Sequence, residues 1–305
     1  MKIDALKEVL GKECVFVQEP MAKHTTFRVG GPADYFFAPS TADGVKAALD
    51  YCKQEKIPYY IIGNGSNLLV SDQGYRGAVI QIFRNLSKVQ VEKDTTIRAQ
   101  AGASMAAVAK MALNSGLTGM ECLSGIPGTI GGAVTMNAGA YGGEIKDVLV
   151  EVTVIDDQGQ ISTIPAEKLE LGYRTSIIAK KQYVVLEAVL SLQKGDQNQI
   201  LARMNELKEQ RVSKQPLEYP SAGSTFKRPE GYFAGKLIQD AGLAGYTVGG
   251  AQVSAKHCGF VVNVGGATAG DIYRLICHVQ DKVWEKDHVR LEPEVKMLGE
   301  FTREG

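Results

Sequence analysis

Eight glycines fall within the 25 residues from position 119 to 143, and this segment constrains the fold more than any other part of the chain. A shorter glycine loop, GNGSN at residues 63–67, follows the apolar run YYII at residues 59–62. Because glycine has no Cβ, such a loop lets several backbone N–H groups converge on one anion. Tight turns would explain either loop alone, but two loops together favour a site for the diphosphate of a cofactor.

Neither loop matches the two best-known nucleotide-binding motifs. Both lack the Gly-Lys-Ser/Thr of a phosphate loop, which disfavours nucleoside triphosphate hydrolysis. GNGSNL has Leu68 where a Rossmann fingerprint has its third glycine, and the strand-like run LLV follows where a helix should begin. The loops therefore predict a dinucleotide site outside the Rossmann class without specifying the dinucleotide.

The charge and the cysteine content limit the kinds of ligand recognition and catalysis that we expect of this chain. Lys and Arg total 34, as do Asp and Glu, so the net charge is +0 and any phosphate recognition is expected to be local. The five cysteines form no C-x-x-C pair and the four histidines are scattered, which predicts a reduced chain with no metal site. Difficult chemistry would then need an organic cofactor.

Hydropathy predicts a cytoplasmic protein. The first residues, MKIDALKEVLGKEC, carry charges among their apolar positions, unlike a signal peptide. No run approaches the ~18 apolar residues that cross a bilayer. Because there is no such run and the net charge is +0, we expect neither a membrane nor a nucleic acid partner.

Hydrophobic periodicity predicts both helices and strands. Helices are predicted over residues 3–10, 41–53, 105–113, a stretch after 198 that ends at Pro216, and 271 to about 286. Strands are predicted over residues 33–39, 59–62, 68–70, 78–83, 88–92, 96–102, 151–156, 160–163 and 183–192. Residues 33–70 are interpreted as a small α/β unit, and the polar run Gly195–Asn198 as a linker. The length of 305 residues indicates about two domains.

Seven blocks of sequence carry a resemblance to a known family. They are HTTFRVGGPADYF (24–36), IIGNGSNLLV (61–70), GIPGTIGGAVTMNAGAYG (125–142), GYRTS (172–176), SAGSTFKRP (221–229), AGKLIQDAGL (234–243) and LEPEVKMLGE (291–300). In this order, over nearly the whole chain, they resemble the UDP-N-acetylenolpyruvoylglucosamine reductases, flavoenzymes of bacterial cell-wall precursor synthesis.

The resemblance implies an α+β fold. A two-subdomain FAD-binding region of the vanillyl-alcohol oxidase and p-cresol methylhydroxylase type would precede a C-terminal α+β substrate domain, with bounds at 1–77, 78–196 and 197–305. The chain resembles the shorter class of the family, which lacks an inserted tyrosine-bearing loop over the substrate. No Cys or His in the matched loops is placed to tether flavin, so FAD is expected to bind non-covalently.

The resemblance also implies the reaction. FAD would take hydride from NADPH, the co-substrate, and then reduce the enolpyruvyl double bond of the UDP-sugar to give UDP-N-acetylmuramate. No Rossmann domain for the nicotinamide is recognisable, so NADPH is expected to alternate with the UDP-sugar in one pocket. We expect a monomer whose only partners are these two small molecules.

Three residues in the matched blocks are implied to carry the chemistry. Arg174 and Glu294 would stabilise the enolate, Glu294 as a protonated acid, and Ser224 would protonate the neighbouring carbon. A serine is a weak acid, so its assignment requires activation by nearby charge, from Lys227, Arg228 or a water. Spacing alone favours a surface arginine, a solvated glutamate and a turn serine, so these roles depend on the resemblance.

The glycine loops and the cations on either side of Ser224 supply the predicted binding residues. The predicted cofactor-binding residues are Gly63, Asn64, Gly65, Ser66, Asn67, Leu68, Gly125, Pro127, Gly128, Gly131, Gly132, Asn137 and Ala138. The predicted substrate-binding residues are Arg211, Lys214, Tyr219, Lys227, Arg228 and Lys236. Cations suit a diphosphate and an aromatic ring suits uracil, although a solvated basic face explains any one of these cations equally well.

Two other functions stay open from the sequence. A related flavin oxidase would share the glycine loops but lack the pair of Ser224 and Glu294, and its reduced flavin would react readily with oxygen. A nucleotide-sugar binding module would be colourless and would consume no NADPH.

Overall fold

The computed structural model describes residues 3–303, which form two compact units. Among the described residues, unit 1 consists of residues 3–16, Tyr35–Asn64 and Gly77–Arg211, and unit 2 of Val17–Asp34, Gly65–Arg76 and residues 212–303. The three-part division at 1–77, 78–196 and 197–305 stays a prediction. Its outermost positions, 1–2 and 304–305, lie outside the described residues.

Side-chain caps begin several of the helices. Thr41 and Ser104 accept backbone hydrogen bonds as N-caps, and Thr268 with Asp271 forms a capping box. Within residues 3–303 the α-helices are α1 (Ile3–Leu10), α2 (Ala42–Gln54), α3 (Met105–Asn114), α4 (Ile130–Thr135), α5 (Ile177–Lys181), α6 (Gln197–Lys214), α7 (Ala234–Asp240) and α8 (Ala269–Asp287). None of them is long and apolar enough to cross a membrane.

The strands form three larger sheets and three short pairs. They are β1 (Val15–Pro20), β2 (Pro32–Phe37), β3 (Tyr59–Ile62), β4 (Leu68–Val70), β5 (Tyr75–Gln81), β6 (Val89–Glu92), β7 (Thr96–Gln100), β8 (Leu117–Thr118), β9 (Gly139–Ala140), β10 (Gly143–Glu144), β11 (Leu149–Ile155), β12 (Ile161–Pro165), β13 (Val184–Ser191), β14 (Gln193–Lys194), β15 (Thr247–Val248), β16 (Ala251–Val253), β17 (Val261–Asn263) and β18 (Lys296–Leu298). The sheet orders are β1-β2-β5-β3, β12-β11-β13-β7-β6 and β15-β16-β17, and the pairs are β8–β14, β9–β10 and β4–β18.

Unit 1 contains the five-stranded antiparallel sheet, with β13 at its centre. Nearly every residue of β13 is buried, as its continuous apolar sequence predicts. Helix α2 buries Val45, Leu49 and Cys52 in the same hydrophobic core, because their spacing of four and three residues puts them on one face of the helix.

Unit 2 has its own hydrophobic core, to which α8 contributes most of one face. Ile272, Leu275, Ile276, Val279 and Val283 are all buried, as their helical spacing predicts. The three-stranded sheet β15-β16-β17 contacts this helix, and β4 pairs in parallel with β18 elsewhere in the unit.

Most predicted elements are present, and α1, β3 and β4 have the predicted bounds. Two interpretations are wrong. β4 pairs with β18 and does not join the sheet of β2 and β3, so residues 33–70 are not one α/β unit. The linker Gly195–Asn198 is too long, because Asp196 accepts the Gln199 amide and α6 begins at Gln197.

Candidate functional site

In unit 1 the start of the first glycine loop contacts the second. The side-chain amide of Asn64 donates a hydrogen bond to the carbonyl oxygen of Pro127 at 3.2 Å. A Cβ at Gly63 would lie 2.4 Å from the Thr129 Oγ1, so only glycine permits this approach. The structure therefore brings these predicted cofactor residues together.

Thr129, which the sequence analysis did not select, orders the second loop. It is 2 % exposed, and its Oγ1 accepts the Gly132 amide at 3.3 Å as the N-cap of α4. The Gly131 amide donates to the carbonyl oxygen of Ala101 at 2.8 Å, and the amide of Gly128 is also bonded internally. These glycines thus have capping and packing roles, and their contact with a cofactor stays a prediction.

Asn137 connects the end of the second loop to the GYRTS block. It is fully buried with φ 45°, a left-handed conformation that asparagine tolerates better than most residues. Its Nδ2 donates to the Gly172 carbonyl at 3.1 Å and to the Glu144 carboxylate at 3.2 Å, and its Oδ1 accepts the Lys146 amide at 3.1 Å. Ala138, the next predicted residue, is buried beside it.

Arg174 projects from this block toward the second glycine loop. Its Nη2 donates to the carbonyl oxygen of Gly139 at 3.2 Å, and its guanidinium lies 5.0 Å from the centroid of the Tyr173 ring. Ser176 anchors the same block, because its hydroxyl donates to the carbonyl oxygen of Thr135 at 2.7 Å. The guanidinium is therefore held by the Gly139 carbonyl and the Tyr173 ring, while Ser176 anchors the backbone of the block that carries it.

A carboxylate lies in the electrostatic surroundings of Arg174. The hydrogen bond from Lys146 holds the pKa of the Glu144 carboxyl below its ordinary value, Asn137 and Arg174 act in the same direction, and partial burial opposes them. Glu144 is therefore an anion at neutral pH, and a fixed negative charge lies near the Arg174 guanidinium.

Arg211, predicted to bind the substrate diphosphate, lies against the second glycine loop in unit 1. A Cβ at Gly125 would lie 2.7 Å from the Arg211 Nε, and the guanidinium lies 5.6 Å from the centroid of the Tyr141 ring. Burial lowers the pKa of Arg211, but the ordinary value is so high that the group stays charged. This position makes Arg211 a candidate for contact with the cofactor as well as the substrate.

In unit 2 the rest of the first loop, Gly65–Asn67, runs directly into strand β4. Gly65 has φ 63°, and a Cβ there would lie 1.9 Å from the carbonyl oxygen of His24. Within residues 3–303 the three amides of this loop donate to no backbone acceptor. Consecutive amides without an internal acceptor are what a diphosphate requires, so the loop fits a dinucleotide cofactor.

Asn67 joins this loop to the C-terminal LEPEVK block of unit 2. Its Nδ2 donates to the carbonyl oxygen of Glu294 at 3.2 Å, and the Lys296 amide donates to its carbonyl at 3.0 Å. Leu68 is buried as the first residue of β4 and is aligned with Lys296 in β18. One predicted cofactor residue, Asn67, therefore contacts the backbone of a predicted catalytic residue.

Ser224 and Glu294 lie on adjacent segments of unit 2. The Glu294 amide donates to the carbonyl oxygen of Thr225 at 2.8 Å, and Phe226 pairs with Pro293 in an antiparallel bridge. Ser224 is exposed and Glu294 is half-buried. Both predicted catalytic residues are thus on paired backbone, and the serine is accessible to a ligand.

The remaining predicted substrate residues differ in whether their side chains already contact another group. Lys227 forms an ion pair with Glu292, and Lys236 pairs with an aspartate one helical turn further on. The guanidinium of Arg228 lies 4.2 Å from the centroid of the exposed Phe233 ring. Two further predicted residues, both exposed, are Lys214 and Tyr219. The paired lysines must exchange partners to bind a diphosphate, which makes them weaker candidates.

Comparisons with known proteins identify the class of protein that has this fold. Residues 33–164 match the family model "FAD binding domain", and no group of His, Cys, Asp or Glu suited to a metal occurs within residues 3–303. A solved structure of a Phl p 4 variant, a glucose oxidase, is 14% identical with TM-score 0.50 over 64% of this chain and 44% of that chain, which shows shared fold alone. The chain therefore belongs to the flavoprotein class, with an FAD-binding domain of the predicted α+β, vanillyl-alcohol oxidase type of fold.

Closer similarities specify the family. Residues 215–298 match the model "UDP-N-acetylenolpyruvoylglucosamine reductase, C-terminal domain". A reductase of that name from Alkaliphilus oremlandii is 53% identical over 296 residues, 97% of each chain, and one from Clostridium botulinum strain Okra is 53% identical over 96% of this chain and 95% of its own. The crystal structure of the Thermus caldophilus reductase superposes with TM-score 0.80 at 35% identity, covering 93% of this chain and 98% of that one. The chain belongs to the UDP-N-acetylenolpyruvoylglucosamine reductase family.

Proposed function

We propose that this chain reduces the enolpyruvyl group of UDP-N-acetylglucosamine enolpyruvate to UDP-N-acetylmuramate, with NADPH as hydride donor, in peptidoglycan precursor synthesis. Membership of the family supports the reaction class. The observation that carries the proposal is the hydrogen bond from the Glu294 amide to Thr225, the residue after Ser224. It puts an acid and a hydroxyl on neighbouring backbone, as the protonation of a carbon next to a developing enolate requires.

The cofactor site is assigned first to the Gly65–Asn67 loop, whose amides have no backbone acceptor among the described residues. The chemistry that bound FAD would supply at this site is the transfer of hydride from NADPH to the methylene carbon of the enolpyruvyl group. The loop would hold the diphosphate by backbone donors, which carry no charge and so suit a chain of zero net charge.

Arg174 and Glu294 are assigned to the negative charge that develops on the carboxylate side of the substrate. Arg174 stays cationic and offers a planar pair of donors, so it stabilises an enolate more strongly than it stabilises the neutral double bond. Glu294 shares in this stabilisation as an acid, by donating a hydrogen bond to the same charge.

Ser224 is assigned as the proton donor to the carbon next to the carboxylate. A serine hydroxyl is a weak acid, so its proton has to be replaced from water or from a nearby cation. Lys227, three residues on, supplies positive charge but is paired with Glu292. We therefore favour water as the source of the replacement proton.

Anaerobic stopped-flow on the holoenzyme tests these roles by separating the two half-reactions. We expect Ser224→Ala to leave flavin reduction by NADPH within about 2-fold and to slow reduction of the UDP-sugar by about 10²–10⁴-fold, the range for general acid catalysis. Ser221→Ala, in the same loop, is the matched control and should behave as wild type. Equal loss in both half-reactions removes Ser224 as the proton donor.

A steady-state assay tests the reaction itself. The purified protein should be yellow and should oxidise NADPH rapidly only when the enolpyruvyl UDP-sugar is present. NADPH consumption that ignores this sugar, with fast reoxidation by oxygen, would instead identify a flavin oxidase. We further propose a cytoplasmic monomer in which NADPH and the UDP-sugar compete for one pocket. Light scattering of the holoenzyme and inhibition by excess UDP-sugar test its mass and this competition.

A further inference from the structure

Thr225, the residue after Ser224, is bonded to two separate segments of unit 2. It is fully buried at 0 % exposure, and its hydroxyl oxygen accepts the Val261 amide at 2.9 Å in a buried hydrogen bond. Its own amide donates to the carbonyl oxygen of Gly259 at 2.8 Å, and its carbonyl accepts the Glu294 amide at 2.8 Å. One segment therefore holds Thr225 on each side.

The hydroxyl bond is the contact that depends on the identity of the side chain. Any residue other than proline keeps the two backbone bonds. Without the hydroxyl, the buried amide of Val261 loses its acceptor, and an unpaired buried amide is costly enough to make the surrounding backbone rearrange. Because Val261 begins β17, this rearrangement would shift Thr225 relative to a rigid strand.

Little before Ser224 in the chain fixes its orientation. Gly223 has φ 74°, and a Cβ there would meet nothing within 4 Å. The next anchor on that side is Ala222, whose side chain is buried in the core of unit 2, and before it comes the backbone bridge from Ser221 to Val262. With an open glycine between that anchor and an exposed serine, the orientation of Ser224 is set mainly by the residue that follows it.

We propose that Thr225 is a positioning residue for the reduction. Its hydroxyl, by holding Val261, fixes Ser224 beside Glu294 in the orientation needed to donate a proton. This inference rests on the proposed role of Ser224 as proton donor. A displacement of about 1 Å in such a group can slow a reaction about 10²-fold, so a single hydrogen bond one residue away is sufficient to matter.

Two matched substitutions test the proposal on the holoenzyme. Thr225→Val removes the hydroxyl at nearly constant shape, and Thr225→Ser keeps the hydroxyl while removing the methyl group. We expect Thr225→Val to slow reduction of the UDP-sugar by about 10- to 100-fold. Flavin reduction by NADPH and the Kd of the UDP-sugar should stay near wild type. Thr225→Ser should restore most of the rate.

Proton transfer gives the readout that a purely structural role would not change. The solvent deuterium isotope effect on sugar reduction should be larger in Thr225→Val than in wild type, because protonation becomes rate-limiting. In a Ser224→Ala background, Thr225→Val should add no further slowing, since no hydroxyl is left to orient.

Three outcomes separate this proposal from the one on which it rests. Wild-type rates in Thr225→Val, or equal slowing of both half-reactions, overturn the positioning role. A Ser224→Ala variant with an unchanged rate overturns the proposed function of Ser224 instead. If Thr225→Val does not fold, Thr225→Cys gives the same test, because a thiol is only a weak acceptor.

Discussion

Arg174 donates a hydrogen bond to the carbonyl oxygen of Gly139 at 3.2 Å while its own backbone has φ 54°. This left-handed conformation is uncommon for arginine and costs of order 1 kcal/mol or more. Asn137 and Ser176 hold the backbone on the two sides by hydrogen bonds to Gly172 and to the last residue of α4. The strained conformation is thus maintained where it directs a guanidinium toward the second glycine loop.

Replacing Arg174 by lysine keeps the charge but removes the planar pair of donors. We expect reduction of the UDP-sugar to slow by about 10²–10³-fold, the loss typical of one donor to a developing oxyanion. Flavin reduction by NADPH and the flavin absorbance spectrum should change little in anaerobic stopped-flow. Arg84→Lys is the matched control, because Arg84 also stacks on the aromatic residue before it but is exposed. Equal rates for the two variants would contradict the role of Arg174.

Helices and strands with a sustained hydrophobic period can be predicted from the sequence. Elements that depend on tertiary contacts cannot, and α4 is an example. Five apolar residues at helical spacing define the buried face of α8. Gly131 and Gly132 are poor helix formers, so local propensity argues against a helix there. The helix forms because Thr129 caps it and Gly131 packs against Ala101, a contact between distant segments.

In the candidate site, too, some features can be predicted from the sequence and others depend on contacts between distant segments. Sequence motifs identify both glycine loops and the blocks that contain Ser224 and Glu294, but not the hydrogen bonds that join them. Asn67 and Glu294 are 227 positions apart, and such a contact leaves no period in the sequence. Thr225 in a loop resembles any turn residue until its burial is known.

Gly65→Ala should destabilise the protein and weaken FAD binding. The new Cβ would lie 1.9 Å from the carbonyl oxygen of His24, and alanine is also strained at φ 63°. Gly231→Ala is the matched control, because Gly231 has φ 76° with nothing within 4 Å and carries the strain without the collision. We expect urea unfolding to show a loss of about 1 kcal/mol for the control and at least about 2 kcal/mol more for Gly65→Ala. Similar losses would show that the backbone at His24 adapts easily.

Cys122 should be the cysteine that reacts with a thiol reagent in the native protein. It is half-buried, whereas Cys14, Cys52, Cys258 and Cys277 are buried. Burial raises the pKa of Cys52 to about 12, so about one thiol in ten thousand is ionised at pH 8. Titration with a chromogenic disulfide at that pH should show one fast equivalent, lost in Cys122→Ser, and the others only after denaturation. Two fast equivalents would mean that a buried segment opens readily.

The stability of unit 2 should fall in mild acid because of His257. Burial lowers the pKa of this imidazole, and its Nδ1 accepts the Gly259 amide at 3.1 Å, so the folded protein favours the neutral ring. In the unfolded chain the pKa is near its ordinary value of about 6.5, and there the ring takes up a proton more readily. The stabilisation is therefore complete above about pH 6.5 and is lost as the pH falls through the lower folded value.

His257→Asn isolates this effect, because the asparagine Oδ1 can accept the Gly259 amide in place of Nδ1 and does not titrate. Urea unfolding of the holoenzyme between about pH 5 and 8 should show a shallower loss of stability in acid for this variant than for wild type. His288→Asn is the control, since His288 is exposed at the end of α8 with φ 55°, which asparagine tolerates. The Gly259 carbonyl accepts the Thr225 amide, so protonation of His257 should also disturb the segment that carries Ser224. We therefore expect the rate of sugar reduction to fall less steeply in acid for His257→Asn than for wild type. Parallel pH profiles for wild type and His257→Asn would assign the acid sensitivity to other groups.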